Sequence, residues 1–314
     1  MTQGSVQVAR HEGRTGPADP AATASPCDCC GSMDWAYLLA ADGYRLGRCR
    51  NCGLLYVGNR PATAQRLEEL DEGVFGGGRR TNEARHHLRG EEIRRQRYDR
   101  LVTLGKRLAP PGPWLDIGCG TGTLLRVAED HGIAIDGIEL TPTRRDAARQ
   151  QTAARIYAQP LEDLHLPDAS YAAIFMVNVF SHLFSPSATF AEIRRILVAR
   201  GIAVIWTSEI GSGVKPHHMW DWGLGEHLQF LGDRTIERYA ERLGFELVKR
   251  ERAWLPDVLY SRQRLASPGT SATRNAMKRL VLALPGAFPL FRTIMTSRQR
   301  DNPVYVSLLI LRQR

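Results

Sequence analysis

From Trp114 to Arg312 the chain alternates continuous apolar runs with amphipathic segments, and no other feature limits its fold as much. The runs are WLDIG, AIDGIEL, YAAIFMVN, GIAVIWTS, FELVKR and VYVSLLILR. Between them lie TLLRVAEDHG, PTRRDAARQQ, ATFAEIRRILVA and DRTIERYAERLG. A strand that is apolar on both sides needs cover on both sides, and helices between strands supply it. The pattern predicts an α/β fold with a doubly wound, mostly parallel sheet. The last run follows Asn302-Pro303 and is expected to enter the sheet antiparallel, a common addition.

Five of the six cysteines fall between residues 27 and 52, as CDCCG and CRNCG. Aligning the glycines pairs Cys27 with Cys30 and Cys49 with Cys52, two C-x-x-C-G knuckles with zinc-like spacing. Each knuckle aims two thiolates at one ion, and four sulfurs close a tetrahedron with no open position. The expectation is structural Zn2+ on Cys27, Cys30, Cys49 and Cys52. Cys29 is left to replace a neighbour or to stay outside the set. Disulfides suit an oxidising compartment, and a redox pair needs only one C-x-x-C. The segment between the knuckles reads as a hairpin turning at Asp42-Gly43.

These features divide the 314 residues into four parts. Residues 1–24 are rich in Gly, Ala, Pro, Thr and Ser and read as a disordered tail without the apolar core of a secretory signal, so a cytoplasmic protein is expected. A zinc-knuckle module follows over 25–60 and a helical connector over 61–110, where GVFGGG marks a loop. Residues 111–314 form the main domain, with a helical insert at about 261–300. That insert is apolar on one side and broken by Pro285-Gly286 and Pro289; a lid or a homodimer contact is expected ahead of a membrane-surface helix. No apolar run is long enough to span a bilayer. The net charge of +9 is concentrated after Lys249, where thirteen Lys and Arg face Glu251, Asp257 and Asp301. A nucleic-acid enzyme more often carries that charge around its cleft.

Behind the first apolar run, WLDIGCGTGTLL sets Gly118, Gly120 and Gly122 around Cys119 and Thr121, with Asp116 upstream. In doubly wound sheets ligands bind beyond the carboxyl ends of strands, where the strand order reverses. The dinucleotide fingerprint G-x-G-x-x-G seats a pyrophosphate on a helix N-terminus. Here the third glycine comes one residue early, and Asp116 would repel a pyrophosphate. An acid there suits an ammonium or sulfonium group. Glu139, ending AIDGIEL, can accept two ribose hydroxyls. A nucleoside with a cationic amino-acid arm meets both demands.

LDIGCGTG followed by GIEL resembles the class I S-adenosylmethionine-dependent methyltransferases. The resemblance continues through LEDLHLPDASYAAIFMVNVFSHL, AEIRRILVARGIAVIWTSE and EHLQFLGDRTIERYAERLGF, over most of residues 80 to 250. It implies a Rossmann-like, seven-stranded sheet and S-adenosylmethionine as cofactor. By position, Asp116, Gly118, Gly120 and Gly122, with Cys119 between them, would cradle the methionine arm. Glu139 would take the ribose, Leu140 flank the adenine, and Leu161 and Glu162 line its edge. Asn178 would end the fourth strand of the domain near the reacting methyl. Zinc knuckles ahead of such a domain are similar to those of sugar C-methyltransferases in antibiotic pathways, where an HEH-like segment supplies the base. This chain has Gly225-Glu226-His227 in that place, and the large C-terminal domain of that group is not expected. Two further departures are Ala172, where an Asp is usual, and Ser181, where an acid is common.

Methyl transfer from a sulfonium is an in-line displacement that draws most of its rate from positioning. A base is needed only when the acceptor must lose a proton, and histidine suits that role near neutral pH. The candidates are His227 with Glu226 as orienting partner, then His182, with His217 and His218 behind them. Trp206, Trp220 and Trp222 are candidate walls of the acceptor pocket. The resemblance implies methylation of a carbon or oxygen of a small molecule, such as a sugar in bacterial secondary metabolism. A nucleotide-linked or carrier-tethered acceptor would suit the basic tail. RNA methylation is the competing class, DNA is not expected, and a vestigial domain conflicts with the intact glycines and Glu139.

Overall fold

The computed structural model describes residues 24–41, 43–60, 83–219, 222–259, 261, 265, 272–297 and 299–314. The expected tail up to residue 23, Asp42 of the hairpin turn, the 61–82 part of the connector and Trp220 lie outside the described residues. In chain order the elements are β1 (Trp35–Ala41), β2 (Tyr44–Cys49), β3 (Leu55–Val57), α1 (Glu83–Leu108), β4 (Trp114–Ile117), α2 (Thr123–Asp130), β5 (Ile135–Ile138), α3 (Pro142–Arg149) and β6 (Ile156–Tyr157). There follow β7 (Tyr171–Val177), α4 (Pro186–Ile196), β8 (Leu197–Ile210), β9 (Gln229–Phe230), α5 (Thr235–Leu243), β10 (Phe245–Trp254), α6 (Leu255–Leu259), α7 (Ala272–Ala283), α8 (Ala287–Ser297) and β11 (Val304–Gln313).

The main sheet has seven strands in the order β10-β11-β8-β7-β4-β5-β6. β6, β5, β4, β7 and β8 are mutually parallel, and β11 runs antiparallel between β8 and β10. The expected antiparallel insertion is therefore present, one strand in from the edge. The chain winds outward from β4 through β5 to β6, then crosses back to β7 on the other side of β4. The order reverses between β4 and β7, which opens a crevice at their carboxyl ends.

Each face of the sheet carries its own core. On one side α1 and α2 bring Leu101, Val102, Leu124 and Leu125 onto Trp114 and Phe175. On the other, Phe190 and Ile193 of α4 and Ile236 and Tyr239 of α5 pack over Leu115, Ile174 and Ile205. Burying such a side chain contributes about 1.5–3 kcal/mol, which is why the amphipathic stripes face inward. Caps fix the helix ends locally. Ser185 accepts a hydrogen bond from the Ala188 N–H with Pro186 in the first turn of α4, and Gly244 closes α5 at φ 74°.

A second sheet, β1-β2-β3-β9, is built from two distant parts of the described chain. β1 to β3 come from the cysteine module. β9 comes from the main domain and pairs with β3 through Leu55 with Phe230 and Tyr56 with Gln229.

Candidate active site

Beyond β4 the chain bends through Gly118, Gly120 and Gly122 at φ of 70°, 57° and 86°, a left-handed region that costs other residues energy. At Gly118 an added Cβ would lie 2.5 Å from Val179 Cγ2, so the turn after β7 presses directly on the bend. Gly120 has nothing within 4 Å of its missing Cβ and borders open space. Cys119 turns its thiol inward, 2.8 Å from the place of a Gly137 Cβ, and only its main chain shapes the bend. Burial, with Asp116 and Glu139 adding to it, raises that thiol's pKa.

The two acids differ in what they hold. Glu139 accepts the Gly120 N–H on Oε2 at 2.9 Å and the Thr141 N–H on Oε1 at 2.8 Å. Its own carbonyl and that of Leu140 accept from Arg145 Nη1, each at 3.1 Å. The carboxylate is thus clamped between the glycine bend and the start of α3, and each oxygen retains a lone pair for a hydroxyl. Asp116 is only 3 % exposed, and its Oδ1 has no hydrogen-bond partner. Burial first, and the Glu139 charge second, hold its pKa well above the carboxylate range. A buried acid in this condition is stabilised by an incoming cation and by little else. The bend and both acids therefore fit a nucleoside with a cationic arm. Leu161 is buried beside this region, while the Glu162 carboxylate accepts a hydrogen bond from the Thr189 hydroxyl of α4. Asn178 follows β7 at φ 59° and donates its N–H to the Trp206 carbonyl at 2.7 Å.

Just past Asn178, a single 3-10 turn, Phe180–His182, brings His182 against His227, ring centroids 4.7 Å apart. His182 Nδ1 lies 2.9 Å from the Glu226 carbonyl, and His227 Nδ1 lies 3.0 Å from the Trp222 carbonyl. A carbonyl only accepts, so in each neutral ring Nδ1 carries the hydrogen and Nε2 the basic lone pair. The expected Glu226 partner of His227 is replaced by the Trp222 carbonyl, because the turn at Gly223-Leu224-Gly225 folds His227 back onto its own loop. His217 and His218 form a separate pair. His218 is buried, accepts the Lys215 N–H on Nδ1 at 3.0 Å, and has its pKa lowered chiefly by burial. Trp222 is buried. It sits in an apolar cluster with Leu46, Leu55 and Phe230. Trp206 lies under the Arg97 guanidinium, 5.1 Å from its ring centroid.

The sulfurs of Cys27, Cys30, Cys49 and Cys52 all lie within 4.8 Å of one another. Cys27 and Cys52 are 3.5 Å apart, Cys30 and Cys49 3.6 Å. Zn–S bonds of about 2.3 Å would set tetrahedral sulfurs about 3.8 Å apart, so the donor set fits one such ion. Contact with Cys52 and burial raise the Cys27 thiol, and Cys52 is raised as well. Cys29 is outside the cluster and faces the Thr235 carbonyl.

Three sets of long-range contacts join this module to the main domain, the first of them at the histidine turn, and none leaves a mark in the local sequence. Leu228 gives its carbonyl to the Val57 N–H of β3 at 2.8 Å and its N–H to the Ser181 carbonyl at 2.7 Å. Asp28, between the knuckle cysteines, accepts from Ser185 Oγ, the Ser187 N–H and the Tyr239 hydroxyl. Arg48 donates to the carbonyls of Gly53, Ile210 and Gly211. A cleft of about 790 Å³ at the amino edge of the sheet, around Asp136, Arg155 and Tyr171, contains none of the bend or rim residues.

Residues 85–250 match the family model described as a methyltransferase domain. The chain is 29 % identical over 215 residues to a malonyl-[acyl-carrier protein] O-methyltransferase of Serratia marcescens, covering 63 % of this chain and 84 % of that protein. The corresponding enzyme of Pseudescherichia vulneris is 26 % identical over 213 residues, covering 62 % and 82 %. Among solved structures, geranyl diphosphate C-methyltransferase from Streptomyces coelicolor A3(2) superposes with a TM-score of 0.54 at 14 % identity, over 76 % of this chain and 86 % of its own. A geranyl diphosphate methyltransferase in complex with SAM gives 0.53 at 16 % identity, over 76 % and 93 %. With the family model spanning more than half of its residues, the chain belongs to the methyltransferase-domain family and is an S-adenosylmethionine-dependent methyltransferase.

Proposed function

We propose that this methyltransferase acts on a carbon or oxygen of a small-molecule acceptor, with His227 as general base, His182 beside it, and one structural Zn2+ on Cys27, Cys30, Cys49 and Cys52. The supporting observation is the close imidazole pair past the carboxyl end of β7, tilted by 50° with centroids 4.7 Å apart, each ring with its Nδ1 facing a carbonyl so that Nε2 is left the basic nitrogen. S-adenosylmethionine supplies a methyl group on a positively charged sulfur. The chain's own part is to hold that ligand with Asp116, the glycine bend and Glu139, with Leu140, Leu161 and Glu162 along the adenine side. His227 Nε2 then takes the proton that a hydroxyl or acidic carbon must lose. The zinc knuckles act at a distance by fixing β3, which fixes Leu228, which fixes the turn bearing His182.

The acceptor classes to test first share an anionic carrier: a carrier-tethered acyl group, a prenyl diphosphate and a nucleotide-linked sugar of a natural-product pathway. The relatives act on a malonyl carrier protein and on geranyl diphosphate, and the surplus of bases after Lys249 suits such handles. A product one methylene heavier, found by mass spectrometry with one of these acceptors, is the expected result. His227→Ala should cut kcat by about 10²–10⁴-fold while cofactor affinity holds. Unchanged turnover in both His227→Ala and His182→Ala would remove the imidazoles from the chemistry. No binding of S-adenosylmethionine by calorimetry would end the proposal outright. Metal analysis should find one zinc per chain, and Cys52→Ser should lower that content and the melting temperature together.

A further inference from the structure

The segment between β10 and β11 stands at the same edge of the sheet as the glycine bend, because β10 runs parallel to β4, β7 and β8 and ends at Trp254. Four strand spacings of about 4.8 Å separate β10 from β4, so the insert stands roughly 19 Å along that edge. α7 and α8 contain no fully buried residue among their described side chains. Met277, Leu280 and Leu284 recur at helical spacing on α7 and its end, as do Leu290 and Ile294 on α8. These five are 44–62 % exposed, and among the described residues the large apolar side chains exposed elsewhere are scattered singly at Met33, Tyr37 and Leu259. From Thr270 to Arg300 the sequence carries Arg274, Lys278, Arg279, Arg292, Arg298 and Arg300 and neither Asp nor Glu.

We infer that α7 and α8 form a docking surface for an anionic lipid bilayer. Apolar stripes flanked by bases, with no acid between them, match a membrane interface in both hydrophobicity and charge. The two helices meet at 117° across the Pro285-Gly286 break, and neither is long and apolar enough to cross a membrane by itself. A second copy of this face would set its bases against identical bases, which opposes a homodimer through the segment. A lid closed over the rim would bury the leucines, and they are open. Arg292 pairs with Asp257 of α6 at 2.9 Å, which ties the V-shaped pair to the short helix that follows β10. The docking surface is independent of which acceptor is methylated.

The test is co-sedimentation of the full chain with phosphatidylcholine vesicles, with and without phosphatidylglycerol. The chain should sediment with the anionic vesicles, remain soluble with the neutral ones, and be released as salt screens the bases. Leu280→Asp with Leu290→Asp, and separately Lys278→Glu with Arg279→Glu, should each raise the lipid needed for half-binding by about tenfold or more. Both variants should bind S-adenosylmethionine as the unaltered chain does, which shows that the fold persists. Failure of the unaltered chain to bind anionic vesicles overturns the inference, as does equal binding by the variants. A solution dimer that Leu280→Asp with Leu290→Asp disperses would assign the surface to a second copy and overturn it too.

Discussion

Asp116 and Glu209 are both buried carboxylates at the carboxyl ends of neighbouring parts of one sheet, and they are treated in opposite ways. Glu209, 1 % exposed, is bound by Arg250, by Arg252 Nε at 2.8 Å and by the Ser307 hydroxyl. Asp116, 3 % exposed, has an oxygen with no partner and an adjacent like charge. A protein can afford a buried acid in either condition, but the second makes sense only where a ligand completes it. The paired acid holds β8, β10 and β11 together; the unpaired one is the acid proposed to meet the cofactor's cation.

Glu209→Gln is the largest expected disruption. It leaves Arg250 and Arg252 facing an amide in a site built for a charge, and breaking a buried pair from one side costs about 3–5 kcal/mol. Urea or thermal unfolding should show that loss, and the surviving folded fraction should still bind S-adenosylmethionine. Neutral stability in Glu209→Gln would mean that the arginines find Glu237 and Asp233 sufficient, and the contrast with Asp116 would fail.

Asp116→Asn should invert this outcome. Its folded pKa is raised, so the native state holds a proton that the unfolded chain has released above about pH 4. The native state binds more protons, and the stability of the cofactor-free chain therefore falls as pH rises from the ordinary carboxylate range towards the raised pKa. Asparagine removes that slope. The difference between the two unfolding curves from about pH 5 to pH 8 isolates it, because every other group cancels. Cofactor affinity should drop by about 2–3 kcal/mol, and proton release on binding should disappear from calorimetry in buffers of different ionisation enthalpy. Asp116→Asn that is less stable than the parent at every pH, with affinity intact, would make Asp116 a structural acid like Glu209.

The same contrast separates what the sequence shows from what it hides. The bend, Asp116, Glu139 and the four cysteines are contiguous or closely spaced, so residue type and interval point to their chemistry. β7 and β8 announce themselves as apolar runs longer than any turn. β6 and β9, two residues each, do not: strands that short take their register from a neighbour and carry no alternation of their own. The partners of Glu209 lie about forty to a hundred residues away, and Asp28 reaches Tyr239 across 211 residues. Those pairings exist only after folding. So does the Trp222 carbonyl that orients His227, which from sequence looked like the task of Glu226.

The smallest expected effect is also the sharpest test of the empty side of the comparison. Gly120→Ala adds one methyl at φ 57°, where a left-handed L-residue costs about 1–2 kcal/mol, and nothing lies within 4 Å to clash with it. Stability should fall by that amount and no more. The methyl would project into the open space beside the Glu139 carboxylate, whose Oε2 already takes the Gly120 N–H. If that space is where the cofactor lies, affinity should fall by more than stability does. Gly118→Ala, with Val179 Cγ2 only 2.5 Å from the new atom, should lose stability first. Equal losses of stability and affinity in Gly120→Ala would place the ligand elsewhere, and Asp116 would then need another explanation for its missing partner.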